Sequence, residues 1–300
     1  MYPRILIPLD GSKTAETVLP YVRRIARVSK SSVELLGVVE MTEIVTQTPA
    51  GDLSYAGSLV EEATQNSAEY LDLLVKTFPD CSVKFTVEKG RPEEVIIDKA
   101  AADKKTLIAM ATHGRSGVSR WLLGSVTEKI LRAAGNPLLL VHAPEGAKTE
   151  GEASLKSVVV PLDGSSLAET VLPEVAALVK ALDLEVVLVR AYSLPVVTYS
   201  GEDFYIPHYQ ELKEQLRKEA SGYLETKAND LRAAGVTNVA CVAVEGTGAD
   251  AIIDLARQTP DNLVAMCSHG RSGLKRWVLG SVAEKVVRHC EDPVLVMRGE

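Results

Sequence analysis

Arg4–Pro20 reads RILIPLDGSKTAETVLP, and Ser157–Pro173 reads SVVVPLDGSSLAETVLP. Each stretch starts with a short aliphatic run, halts at Asp-Gly-Ser, and continues into a pattern that suits a helix. From Pro8 and Pro161 onward, 11 of 13 positions are identical at an offset of 153 (161 minus 8). Farther along, His113–Leu131, HGRSGVSRWLLGSVTEKIL, returns as His269–Val287, HGRSGLKRWVLGSVAEKVV, identical at 13 of 19 positions with an offset of 156. The chain of 300 residues is therefore a tandem duplication, each copy close to the length of one ordinary domain.

Within each copy, short β-rich runs alternate with longer helical patterns, the signature of an α/β fold with a parallel sheet covered by helices. The first copy predicts strands near Arg4–Leu9, Val33–Val39, Ser82–Glu88, Thr106–Ala111 and Pro137–His142, with helices near Thr14–Ser29, Ser58–Phe78, Pro92–Ala102 and Ser125–Ala134. The second predicts strands near Ser157–Leu162, Glu185–Arg190, Asn238–Val244, Asn262–Cys267 and Pro293–Met297. The polar, small-residue stretch Gly146–Lys156 reads as a linker, which sets the expected domains at 1–145 and 157–300. Long connections after each second strand, Met41–Gly57 and Tyr192–Pro207, suit lids or partner contacts.

A formal charge of -7 argues against a nucleic-acid footprint, which needs a basic face. The N-terminus lacks a signal-peptide core and no run approaches the ~18 apolar residues of a membrane span, so the expectation is a cytoplasmic protein with no membrane partner. Cys81, Cys241, Cys267 and Cys290 show neither CxxC spacing nor shared placement between copies, so neither a disulfide framework nor a zinc site is expected.

The duplicated loop follows the fourth strand and ends at Gly124-Ser125 in one copy and Gly280-Ser281 in the other, where the next helix begins. Ligands of open parallel sheets bind beyond the carboxyl ends of the strands. A helix N-terminus there, with unpaired N–H groups and the positive dipole end, favours an anion. Gly114, Gly117 and Gly124, and likewise Gly270, Gly273 and Gly280, allow close backbone approach, while Arg115 and Arg271 add positive charge, as do Arg120, Lys275 and Arg276. Gly-Ser before a helix can equally be a plain turn with an N-cap. Its duplication alongside Asp10-Gly11-Ser12 and Asp163-Gly164-Ser165, at the ends of the first strands, favours a ligand crevice.

These residues resemble the universal stress protein family, twice over nearly the whole chain. The nucleotide-binding branch of that family carries Gly, two residues, Gly, nine residues, then Gly-Ser or Gly-Thr. The second glycine is Gly114 or Gly270, and nine residues on stand Gly124-Ser125 or Gly280-Ser281. At the first glycine stand Ala111 and Cys267, which would be strained if the position demanded positive φ. The resemblance implies two Rossmann-like (adenine nucleotide alpha hydrolase-like) domains, each a five-stranded parallel sheet of order 3-2-1-4-5, pairing through their last strands as a pseudo-symmetric internal dimer. It implies ATP, ADP or AMP as ligand, with Mg2+ as a candidate companion ion. Asp10 and Asp163 would lie by the adenosine, Val38 and Val189 would line the adenine pocket, and Ser125 with Val126, and Ser281 with Val282, would meet the phosphates. A stress-sensing role with an unidentified regulatory protein partner and a homodimer as a further assembly follow from the same resemblance.

Two other classes stand beside this reading: a nucleotide-independent interaction protein, and a slow ATPase or autophosphorylating protein acting at Ser125 or Ser281. No GxxxxGK[ST] loop occurs. Gly246–Ala251 matches GxGxxA, but it follows a third strand and Gly90-Arg91-Pro92 breaks the pattern in the first copy, which weighs against a dinucleotide site. His113 and His269 suit local packing better than base catalysis, Trp121 and Trp277 suit packing of the loop, and Cys267-Ser268-His269 lacks a paired metal ligand at Ala111.

Overall fold

A computed structural model describes residues 1–41, 53–112, 123–142, 146–194, 209–268 and 279–298. It divides into two compact units, the first comprising Met1–Ser154 with Pro293–Arg298, the second drawn from Leu155 onward up to Asp292.

The first unit runs β1 (Arg4–Pro8), α1 (Lys13–Glu16), α2 (Leu19–Ser29), β2 (Ser32–Val39), α3 (Leu53–Val75), β3 (Val83–Lys89), α4 (Pro92–Ala101), β4 (Leu107–Ala111), α5 (Ser125–Ala133) and β5 (Leu138–Val141). Its strands lie in the order β3-β2-β1-β4-β5, all parallel. The central strands read as unbroken apolar runs because helices cover both faces: Ile5, Leu6, Ile7, Leu107, Ile108 and Leu138 are fully buried. The last strand of the second repeat, β10 (Val294–Met297), belongs to this unit and pairs antiparallel with β5, Val294 opposite Leu140 and Val296 opposite Leu138. The otherwise open edge of β5 is thereby closed.

The second unit runs β6 (Ser157–Pro161), α6 (Ser166–Glu169), α7 (Leu172–Leu182), β7 (Glu185–Tyr192), α8 (Tyr209–Ala233), β8 (Val239–Glu245), α9 (Gly248–Gln258), β9 (Asn262–Cys267) and α10 (Ser281–His289). Its parallel strands lie in the order β8-β7-β6-β9, the same 3-2-1-4 sequence.

The helix expected over Thr14–Ser29 is two helices, α1 and α2. Pro20, in the first turn of α2, has no N–H for a bond to Glu16, and its ring would crowd that carbonyl in a continuous helix. Pro173 divides α6 from α7 in the same way. The segment read as a linker is fastened to the first unit: Arg23 donates to the carbonyls of Thr149 (2.8 Å) and Gly151 (3.0 Å), Arg24 to that of Ala153 (3.0 Å), and Ala153 N–H to the Pro20 carbonyl (3.0 Å).

Candidate functional site

The Asp-Gly-Ser turn is built identically in both units. The Asp10 carboxylate oxygen Oδ1 accepts from the Ser12 backbone N–H (2.9 Å) and hydroxyl (2.6 Å), and Ser12 Oγ in turn accepts from Ala15 N–H at the start of α1 (3.1 Å). Asp163, Ser165 and Ala168 repeat these bonds at 2.9, 2.6 and 3.1 Å. Gly11 and Gly164 have φ of +83° and +88°, a region that a side chain disfavours, so the turn requires glycine between Asp and Ser. Ser12 and Ser165 thus cap their helices, and the aspartates are held at the strand ends by the same bonds.

Neighbouring strands bring the aspartates to the loop. Leu6 pairs with Ile108 in the parallel β1–β4 ladder, so three residues on, Leu9 lies level with Ala111 and Asp10 stands just beyond it. Val159 pairs with Val264, which sets Leu162 level with Cys267 and Asp163 beyond it. The gap between the first and fourth strands is where the strand order reverses, the usual place for a crevice. Ala111 and Cys267 end their strands 6% and 5% exposed, and neither has positive φ, so the anticipated strain at these two positions is absent.

The loop itself, with Gly114, Arg115, Gly117, Gly270, Arg271 and Gly273, lies outside the described residues, as do His113, His269, Trp121 and Trp277. Its end is described. Gly124 N–H donates to the Thr112 carbonyl (2.9 Å), and Gly280 N–H to that of Ser268 (2.9 Å). These glycines are the N-caps of α5 and α10 with φ of −59° and −64°, so conformation alone does not demand glycine there. Neither helix has a side-chain cap. The first amides of α5, those of Ser125, Val126 and Thr127, accordingly donate to no N-cap side chain, and Ser125 and Ser281 are exposed at the two helix starts. Only the short helices α1 and α6 have a side-chain cap, from Ser12 and Ser165; α2, α4, α7 and α9 lack one as α5 and α10 do, so what sets the Gly-Ser starts apart is a glycine cap beside the end of the fourth strand. Such an end offers N–H donors and a positive dipole to an anion.

One expected pair is corrected by the strand register. Pro8 pairs with Leu36 and Pro161 with Val189, so the counterpart of Val189 is Leu36, and that of Val38 is Ala191. Val189 is 1% exposed, inside the sheet, whereas Val38 is half-buried near the strand end. Matching valine to valine slipped the alignment by two residues, which preserves the face of a strand but not its height. The Asp-Gly-Ser offset of 153 gives the same counterpart of Val38, Ala191.

A set of charges around the turn helices was also missed. Glu169 accepts from Tyr223 Oη (2.9 Å) and pairs with Lys227 (2.9 Å), while the Arg190 guanidinium stacks 4.7 Å from the Tyr223 ring centre. Burial raises the Glu169 carboxyl, but the bonds from Lys227 and Tyr223 outweigh it and hold the group below its usual value. In the first unit Glu16, 3% exposed, meets Lys13 (2.8 Å) and Tyr70 (3.3 Å). Both arrangements tie the helix after the aspartate to the long helix after the second strand. Among the described residues no His, Cys, Asp or Glu cluster could hold a metal ion, and no helix is long and apolar enough to cross a membrane.

The model of the universal stress protein family matches residues 1–142 and again 154–298. This chain belongs to the universal stress protein family. A universal stress protein of Mycolicibacterium smegmatis is 22% identical over 98% of this chain and 96% of its own length. One from Methanocaldococcus jannaschii is 31% identical over 48% of this chain and 85% of its own, matching a single repeat. The crystal structure of a universal stress protein from Archaeoglobus fulgidus covers 100% of both chains with a TM-score of 0.69 at 21% identity, a likeness of fold. Two universal stress protein domains in tandem are thus established, with the α/β architecture of each.

Proposed function

We propose that each domain of this universal stress protein, 1–145 and 157–300 on either side of the 146–156 linker, binds an adenine nucleotide. The bare N-termini of α5 and α10 carry this reading: two duplicated Gly-Ser helix starts without caps, each beside a strand end and an aspartate held in place. ATP, ADP or AMP would place its phosphates against Gly124 or Gly280, on the amides of Ser125 and Val126 or of Ser281 and Val282, and on the hydroxyl of Ser125 or Ser281. Gly114, Arg115, Gly117, Gly270, Arg271 and Gly273 would close over them, with Mg2+ joining a polyphosphate. Asp10 and Asp163 would receive the ribose hydroxyls, and Ala111, Val38, Cys267 and Ala191 would bound the base. The nucleotide itself supplies the phosphate charge to which the chain responds. The role that follows is a cytoplasmic sensor or regulator of stress, passing occupancy to a protein partner.

The first experiment is equilibrium dialysis with ATP on the native chain and on Gly124→Trp and Gly280→Trp. Because both glycines have ordinary φ, the large side chain leaves the backbone unstrained and blocks approach to the amides. Each substitution is expected to remove one site of the two. Unchanged stoichiometry and affinity in the double variant would refute the reading.

A further inference from the structure

Among the described residues β8 is the edge of the sheet of the second unit, hydrogen-bonded to β7 alone. Gly246 N–H donates to the Tyr192 carbonyl and the Asn238 carbonyl accepts from Val186, so even-numbered residues turn their backbone groups toward β7. The N–H and C=O of Val239, Cys241, Ala243 and Glu245 therefore point outward. Among the described residues the Arg232 guanidinium donates to the Val239 carbonyl (3.1 Å), and no other hydrogen bond reaches that row. Edge strands are normally guarded by charge, proline or a bulge. The matching edge of the first unit, β3, reads VKFTVEK and carries Lys84, Glu88 and Lys89, whereas β8 reads VACVAVE, half-exposed along its apolar length with one charge at its end.

We infer that the free edge of β8 is a self-association surface on which a second copy of this chain adds its own β8, antiparallel across a two-fold axis at Cys241. Two features of the strand select a copy of itself. About that axis Val242 lies opposite Ala240 of the second copy and Val239 opposite Ala243, while Val244 meets Asn238, so large and small side chains alternate across the central pairs of the seam. The ends of the strand carry opposite signs as well: Glu245, paired in its own chain with Lys213 (2.6 Å), ends it, and Arg232, paired with Glu225 (3.4 Å), sits on Val239 near its start, so the antiparallel copy brings the Glu245 end of one chain beside the Arg232 end of the other. The paired rows at Cys241, and at Val239 with Ala243, are all of the hydrogen-bonded kind, so the outward N–H and C=O groups find partners without any change of register.

Sedimentation velocity on the full chain from low to high micromolar concentration tests this surface with two variants. Ala240→Lys places at the seam the charge that the first unit carries at the same register position, Lys84, and so introduces a residue that this fold already accommodates there. Ala243→Pro removes an outward N–H at a place where an edge strand tolerates proline. The native chain is expected to show a monomer–dimer equilibrium that each variant weakens by about tenfold or more with circular dichroism unchanged. A native chain that stays monomeric throughout, or a dimer that persists unweakened in the folded variants, overturns the inference. Should Ala240→Lys fail to fold, Ala243→Pro decides alone. Neither position belongs to the nucleotide crevice, so the result is independent of the binding test above.

Discussion

Glu34 in the first unit and Val187 in the second occupy the same place in the second strand, and around them the two units solve one packing problem in opposite ways. Glu34 is 2% exposed, yet it meets Arg4 (2.8 Å), Lys99 (3.2 Å), Lys84 (3.3 Å) and the Thr86 hydroxyl (3.0 Å). Burial pushes its carboxyl up, but the bonds from Arg4, Lys99 and Thr86 prevail and hold it at about 2. The equivalent residues of the second unit are Ser157, Leu255, Ala240 and Val242, so three apolar residues and a buried serine stand in place of the ion network. The fold needs the space filled; it does not need the charges. Buried ion pairs are commonly no better than well-packed apolar residues, although losing one partner is costly.

The largest expected effect breaks that equivalence by half. Glu34→Val alone takes the carboxylate from Arg4, left with the Lys99 carbonyl (2.9 Å), and from Lys99, left with Glu88 (3.0 Å), and should cost ~2–3 kcal/mol in chemical denaturation, less than for a fully enclosed pair because the cations keep these partners and reach solvent. Transplanting the whole set, Arg4→Ser, Glu34→Val, Lys84→Ala, Thr86→Val and Lys99→Leu, should return the first unit to within ~1 kcal/mol of native. The pH dependence has a definite sign. A carboxyl lowered from 4.5 to about 2 binds its proton in the unfolded chain first, so its contribution is complete above about pH 5 and disappears as the pH falls toward 2. That contribution is roughly 3 kcal/mol, and the transplanted chain should lose the corresponding acid slope. An equal slope in both would show that other carboxylates govern it.

Such contrasts also show what the sequence could carry. The element order and the parallel α/β class were legible because apolar runs, turns and helical patterns repeat twice, whereas the strand order came with the family resemblance, and the Asp-Gly-Ser turn was legible because only glycine suits its positive φ. The antiparallel partner of β5 entered through the family resemblance, since edge pairing leaves no local pattern. The Glu34 network was missed although a lone Glu in SVELLGVV is its signal, because its partners come from three other elements. Position can also shift while the task stays: Asn136 donates to the carbonyls of Ala100, Asp103 and Thr106 at the end of α4, whereas Asn262, from a strand start, donates to Ala256 and Thr259 at the end of α9. Alignment sees two unrelated asparagines there.

A second contrast separates α2 from α7. Arg23, 6% exposed, holds the 149–151 carbonyls, donates to the Thr77 hydroxyl (2.8 Å) and lies 5.1 Å from the Phe78 ring centre, while its counterpart in the second unit is Ala176. Arg23→Ala should cost ~2 kcal/mol through the abandoned carbonyls and the space left behind. Limited proteolysis should then cut within 146–153 faster than in the native chain. Cleavage at the native rate would mean that Arg24 and the Ala153–Pro20 backbone bond are sufficient to hold the segment.

The smallest effect concerns Gly37, whose counterpart is Arg190. A Cβ on Gly37 would collide with Ser67 Oγ and come 3.2 Å from Leu71 Cδ1, so a side chain there requires its neighbours to shift. The second unit has Ala220 where the first has Ser67, which clears the hydroxyl and lets Arg190 lie against Tyr223. Because a serine hydroxyl can rotate away, Gly37→Ala should cost only ~1 kcal/mol. Ser67→Ala beside it should recover most of that loss, a coupling that a double-mutant cycle measures directly. Additive costs would place the obstruction at Leu71 instead, and the exchange of Gly-Ser for Arg-Ala between the units would then reflect the charges around Glu169 and not the space available.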